Sequence, residues 1–113
     1  MPLDQVVIDQ NGPLPITKEF EGKSTAQAML FVSGTTFTPN LAYCFSGVEV
    51  FLDNVSVGKV ELYTSQSGYR HMALPARMLP VTVGLGKHAI TLKPLDMNTL
   101  TDKYDYFQVV VCY

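Results

Sequence analysis

Three features of this sequence predict an all-β fold, a two-sheet antiparallel β-sandwich of jelly-roll type. Apolar and polar residues alternate in short runs, and turn residues interrupt those runs about every 8–12 positions. The chain closes on an aromatic, β-branched run, Tyr104 to Tyr113, which suits a pleated, half-buried surface. No segment holds a helical period for four turns. The connections are long enough to carry the chain between two sheets, as a jelly roll requires. With 113 residues, the chain forms one domain, residues 1–113, with a single hydrophobic core.

The first strand is expected over Gln5 to Ile8, followed by the turn-rich Asp9-Gln10-Asn11-Gly12-Pro13. Ile16 to Phe20 is a second strand, which Pro13 and Pro15 mark as an edge or as having a bulged start. Glu21 to Ser24 turns the chain. Thr25 to Val32 has both helical and strand-like residues; its shortness and its neighbours favour a strand ending at Ser33-Gly34. Thr35 to Asn40 reads as a polar loop carrying Phe37. Leu41 to Leu52 is the longest strand signal, with Val48, Val50 and Leu52 on one face. Asp53-Asn54 is a two-residue turn into the return strand, Val55 to Tyr63, where Gly58 marks a bulge or a second turn. After the loop Thr64 to Gly68, Tyr69 to Val83 is apolar but broken by Pro75 and Pro80, so it belongs at an edge or crosses between sheets. Gly84-Leu85-Gly86 turns into a strand whose His88, Ile90 and Leu92 share a face. Pro94 to Lys103 is a polar loop before the final strand.

Composition excludes several classes. Eight Lys and Arg are scattered singly and the net charge is −2, so nucleic acid is not an expected partner. No run approaches a membrane span. The start, MPLDQVVIDQ, lacks the charged-then-apolar pattern of a signal peptide, which leaves the cytoplasm as the default location. Apolar residues make up 47% against 16% charged, which points either to a generous core or to apolar surface covered in a homo-oligomer. Met72, Leu74, Met78 and Leu79 suit either the core or a contact patch, and are the candidate interface if the chain assembles. Cys44 and Cys112 read as reduced thiols or as a staple between an early strand and the last. Cys44 shares the parity of Val48 and Val50, whereas Cys112 opposes that of Phe107, Val109 and Val111, which disfavours the staple if both strands are regular; a bulge at Ser46-Gly47 would reverse this.

Three stretches resemble the galactose-binding-like jelly-roll sandwiches found among bacterial carbohydrate-binding modules. VEVFLDNVSVG (48–58) is similar to their hairpin, VGLGKHAITL (83–92) to their Gly-led alternating strand, and DKYDYFQVVV (102–111) to their terminal strand. The aromatic final strand is also similar to that of trimeric jelly rolls of the tumour-necrosis-factor type. The first resemblance implies non-catalytic glycan binding. Such modules often hold a structural calcium with acidic residues near the N-terminus and an Asp of the last strand. Asp105 matches that Asp, but Asp4 to Asp9 lacks paired carboxylates, and the chain has no tryptophan to serve as a sugar platform.

The residues themselves lead to a similar site. Tyrosine faces stack on the apolar side of a pyranose while neighbouring polar groups bind its hydroxyls. Tyr69, Arg70 and His71 from one loop, with Asp102, Tyr104 and Asp105 from another, form the candidate ligand-binding set. Asp96, Asn98, Thr99, Thr101, Asp102 and Asp105 are rich enough in oxygen for calcium, but their spacing matches no EF-hand, and Lys103 dilutes the negative charge. A solvated loop with Asx turns is the expectation, and no metal or cofactor is assigned. His88 is expected at the rim of the core. No GxSxG pattern is present, and spacing selects no Cys–His pair, so an enzyme is not expected. A glycan-binding module is the leading function, and an assembly subunit the alternative.

Overall fold

The computed structural model describes residues 4–39, 43–64 and 70–113. Among these residues nine strands form: β1 (Asp4–Asn11), β2 (Ile16–Gly22), β3 (Gln27–Thr36), β4 (Cys44–Leu52), β5 (Val55–Thr64), β6 (Met72–Ala73), β7 (Arg77–Thr82), β8 (Gly86–Pro94) and β9 (Tyr106–Cys112). No helix forms among the described residues, and none is long and apolar enough to cross a membrane. One sheet runs β1-β9-β3, with β7 and then β6 sharing the outer side of β3; the other runs β2-β8-β4-β5. Every pairing is antiparallel. The chain changes sheet after β1, β2, β3, β5, β7 and β8, which gives the jelly-roll order.

The core lies between the sheets and follows strand parity. Phe107, Val109 and Val111 of β9 and Ala28, Leu30 and Val32 of β3 meet Val48, Val50 and Leu52 of β4, Val60 of β5, and Ile90 and Leu92 of β8. Each aliphatic side chain taken fully out of water contributes about 1.5–3 kcal/mol, so this two-sided layer is the main stabilising term. A buried hydroxyl pair, Thr36 Oγ1 and Ser46 Oγ at 2.6 Å, joins β3 to β4 across it.

Several expected boundaries move, each because a tertiary contact outweighs a local preference. β1 does not stop at Ile8. Asp9, Gln10 and Asn11 continue the ladder opposite Gln108, Phe107 and Tyr106, and a bulge at Val7 shifts the register. The reversal falls instead at Gly12 to Pro15, where both Gly12-Pro13 and Leu14-Pro15 are cis. β3 runs through Ser33-Gly34, because Gly34 lies opposite Phe107 and a Cβ there would meet the Phe107 ring at 2.5 Å. Here the glycine makes room for the largest fully buried side chain and does not end the strand. β2 is an edge strand, one of the two placements its prolines allow, and Asp53-Asn54 is the expected tight turn, with φ of 51° and 66°.

The bulge expected at Gly58 is present: Val50 pairs with Gly58 and Phe51 with Ser56, which leaves Val57 extra. A Cβ on Gly58 would approach Leu79 Cδ2 to 2.9 Å. Leu79 and Leu74 are thus core residues, and only Met78 of the candidate contact patch is strongly exposed. Pro80 is accommodated because β7 lies on a sheet edge. Cys44 and Cys112 are unpaired, on strands of opposite sheets. Leu41 and Ala42 of the expected long strand lie outside the described residues.

At one end of the sandwich, the β4–β5 turn meets the start of β8. Asp53 Oδ2 is 2.6 Å from His88 Nδ1, and Asp53 Oδ1 accepts the Ala89 amide at 2.9 Å. The hydrogen bond to Asp53 pushes the His88 imidazole above its ordinary value of 6.5. Burial opposes that shift, and the Asp53 charge and the Gly84 and Leu85 carbonyls reinforce it. Burial would raise the Asp53 carboxyl, but the hydrogen bonds from His88 and Ala89 and the His88 charge outweigh it and hold the group below 3.8. His88 Nε2 is buried and makes no hydrogen bond of good geometry, with the Gly84 and Leu85 carbonyls as its nearby backbone acceptors. The raised His88 contributes stability that is fully present below pH 6.5 and lost as pH rises through its folded value; the lowered Asp53 contributes stability present above 3.8 and lost as pH falls through its own. The stability lost in Asp53→Asn is therefore expected to be greatest between pH 3.8 and 6.5 and to shrink above that window. Thermal melts across pH measure it. NMR titration of the His88 ring should give a midpoint above 6.5 that falls in the variant; an unchanged midpoint would refute the coupling.

Candidate functional site

The opposite end of the sandwich gathers the β1–β2 turn, residues 37–39 after β3, residues 70 and 71 before β6, and the β8–β9 connection, 95–105. That connection is held along its length. Leu95 donates its amide to the Gly47 carbonyl, and the buried Thr99 accepts the Gly47 amide on its hydroxyl. Phe37 and Leu100 form an isolated antiparallel bridge. The Leu14 amide donates to Thr101 Oγ1, and Asn11 Nδ2 donates to the Lys103 carbonyl. Asp96 and Asp102 each accept a backbone amide two residues on, from Asn98 and Tyr104, which are the expected Asx turns.

Asp105 is the centre of this arrangement. It precedes β9, and its side chain is completely buried. Oδ1 accepts the Thr35 hydroxyl at 2.8 Å and lies 2.7 Å from His71 Nδ1; Oδ2 accepts the Asp102 amide at 2.8 Å. Its own amide donates to the Asp102 carbonyl, and its carbonyl accepts the Gly12 amide. Strand pairing explains how these groups meet. The end of β3 is flanked by β9, through Gly34 opposite Phe107, and by β6, through Thr36 opposite Met72. Residues 105 and 71 thus arrive from either side, with Thr35 and Phe37 between them.

The Phe37 ring packs on the His71 ring with centroids 4.4 Å apart. His71 Nδ1 lies against Asp105 Oδ1, which leaves Nε2 as the ring nitrogen on the Asp102 side. Nε2 lies 3.6 Å from Asp102 Oδ2, beyond hydrogen-bonding distance. The His71 and Asp102 side chains are 38% and 40% exposed, so a ligand from solvent can reach both. Tyr104 is 73% exposed, tied to Asp102 through its amide, with Lys103 Nζ 5.2 Å from its ring centroid.

Of the residues singled out from sequence, His71, Asp102 and Asp105 meet at one point, with one ligand atom of each within 4.8 Å of the others. Tyr104 adjoins them along the chain, Arg70 is exposed beside His71, and Tyr69 lies outside the described residues. Burial gives Asp105 the part of positioning His71 and the Asp102 backbone. Asp96 and Asn98 remain in their own turn, apart from this cluster. Thr35 and Phe37 were not singled out for the site. Phe37, an aromatic in a polar stretch, carried a weak signal; Thr35 carried none, since its role comes from its place beside β9.

No known family model matches the chain, and no curated protein matches it. Asp105→Ala is expected to leave the Thr35 hydroxyl, the Asp102 amide and His71 Nδ1 without their acceptor. These groups are part-buried, so at about 1 kcal/mol for each the loss should be about 2–3 kcal/mol. Urea denaturation measures it, together with faster amide exchange at Asp102 and Asp105. A loss under about 1 kcal/mol would remove Asp105 from the centre of the site.

Proposed function

We propose that the chain is a non-catalytic recognition module that binds a glycan at the end of the sandwich formed by His71, Asp102 and Tyr104. One observation carries this reading: a half-exposed polar pair, braced from behind by a buried carboxylate, beside a strongly exposed aromatic ring. A sugar offers a matching surface. Its apolar face stacks on an aromatic ring, while adjacent hydroxyls donate to a carboxylate and accept from or donate to an imidazole. Because Asp105 and Phe37 already hold His71, binding loses little side-chain freedom there. No enclosed pocket lies among the described residues, and a shallow platform suits a chain of sugars lying across it. The likeness of residues 48–58, 83–92 and 102–111 to galactose-binding-like modules supports the same reading by analogy of fold.

Self-association is the second reading, and a different observation favours it. Phe45 and Tyr63, paired edge-to-face at 5.1 Å, are 47% and 54% exposed on β4 and on the edge strand β5. An open edge with aromatic neighbours is a surface on which small β domains associate.

A glycan array separates the two readings. Recognition predicts a defined set of hits that Tyr104→Ala and His71→Ala each reduce at least tenfold, with an unchanged circular dichroism spectrum; an array without hits overturns it. Self-association predicts a dimer or larger species by light scattering that Tyr63→Ser returns to monomer, and a monomer at high concentration overturns that reading.

A further inference from the structure

We propose that His71 Nε2 and Asp102 Oδ2 form an open binding site for a divalent ion of the zinc type, with Asp105 as the group that orients the imidazole. The inference concerns the ion alone and does not depend on a glycan being the ligand.

The first support is a distance. Nε2 and Oδ2 face each other at 3.6 Å, too far for a hydrogen bond and beyond the 2.7–3.3 Å at which other polar pairs of this end meet. Zinc binds imidazole nitrogen at about 2.0–2.1 Å and carboxylate oxygen at about 2.0–2.2 Å, so two such ligands at a tetrahedral angle stand about 3.4 Å apart. The observed gap fits an ion bridging the two atoms with a shift of a few tenths of an ångström.

The second support is the state of the imidazole. A metal-bound histidine commonly donates its other ring proton to a carboxylate, which fixes the tautomer and raises the basicity of the ligating nitrogen. Asp105 stands in that position, 2.7 Å from Nδ1, and is itself held by the Thr35 hydroxyl and the Asp102 amide. With Nδ1 occupied in this way, Nε2 is the nitrogen left to bind. Phe37 against the ring removes a further rotational freedom. Asp102 is similarly prepared, since Oδ1 is engaged by the Tyr104 amide and Oδ2 is directed toward Nε2.

The third support is charge. Two acidic side chains, Asp102 and Asp105, flank one imidazole, a setting that favours a dication even with Lys103 next to Asp102 in the chain. The donor set selects the ion. Calcium takes six to eight oxygens, whereas one imidazole and one exposed carboxylate suit zinc, cobalt or nickel. Asp105 stays outside the coordination sphere, because its carboxylate is fully buried and already has three partners. Two protein ligands leave the remaining positions to water or to an oxygen of a bound molecule, so the site is open and weaker than a closed structural one.

The test uses tag-free full chain. Titration with zinc chloride by calorimetry should show one ion per chain, and cobalt(II) should give d–d absorption bands that zinc displaces. His71→Gln should abolish the binding, Asp102→Asn should weaken it at least tenfold, and His88→Gln should leave it unchanged. Because a variant can lose its fold, nitrogen NMR of the His71 ring in the unaltered chain is a second readout: zinc should shift Nε2 while Nδ1 stays protonated. Absence of binding at millimolar ion, binding that survives His71→Gln, or metal on Nδ1 would each overturn the proposal.

Discussion

The Asp105 carboxylate, buried and hydrogen-bonded on both oxygens, is the constraint on which the loop end of this sandwich depends. An acidic group is taken out of water at a cost unless donors surround it, and here the donors come from three separate places. Thr35 comes from the end of β3, His71 from the residue before β6, and Asp102 from the loop itself. Satisfying one carboxylate therefore draws together segments tens of residues apart in sequence. The same residue ties in the β1–β2 turn through its carbonyl and the Gly12 amide. A hydrophobic residue at this position would remove the burial cost and, with it, the reason for His71 to sit where it does.

The two ends of the molecule use the same pairing, an Asp against a His, in different settings. At the Asp53–His88 end, the histidine is mostly covered and its outer nitrogen is buried, so the pair clamps the β4–β5 turn to β8. At the Asp105–His71 end, the burial is reversed. The carboxylate is inside, and the imidazole is half-exposed with a second carboxylate beyond it. The first arrangement clamps a turn to a strand; the second leaves a half-exposed imidazole between a buried and an exposed carboxyl. The function proposed for the chain rests on this asymmetry, and the core between the ends serves to hold the strand termini in register.

Much of the strand framework was legible from sequence. Alternation located the faces of β4, β8 and β9, and the prolines marked β2 and β7 as candidates for sheet edges. Asp53-Asn54 marked a turn needing positive φ, and Gly58 marked a bulge. These features are local, in that periodicity and backbone preference act over a few residues. The errors were also of one kind. Asp9 to Asn11 and Ser33-Gly34 look like turn and stop signals, yet both are strand, because ladder partners on β9 and the space needed by Phe107 outweigh local preference. Met72, Leu74, Met78 and Leu79 suited core or contact patch alike, and the structure divides them, with Leu74 and Leu79 buried and Met78 exposed.

For the candidate site, residue chemistry pointed to His71, Asp102, Tyr104 and Asp105 as side chains worth attention, because titratable and aromatic groups in loops are rarely needed for packing. Their division of labour was not contained there. That Asp105 is buried and braces while Asp102 is exposed, and that Thr35 and Phe37 complete the set, follows from β9 and β6 lying on either side of β3. Sequence alone determined that this chain is an all-β sandwich with polar, aromatic-bearing loops, since those properties depend on each residue and its near neighbours. Only the tertiary structure decided which loops meet and which nitrogen of His71 lies on the Asp102 side. Those depend on strand order and register, which are set by packing between residues far apart in the chain.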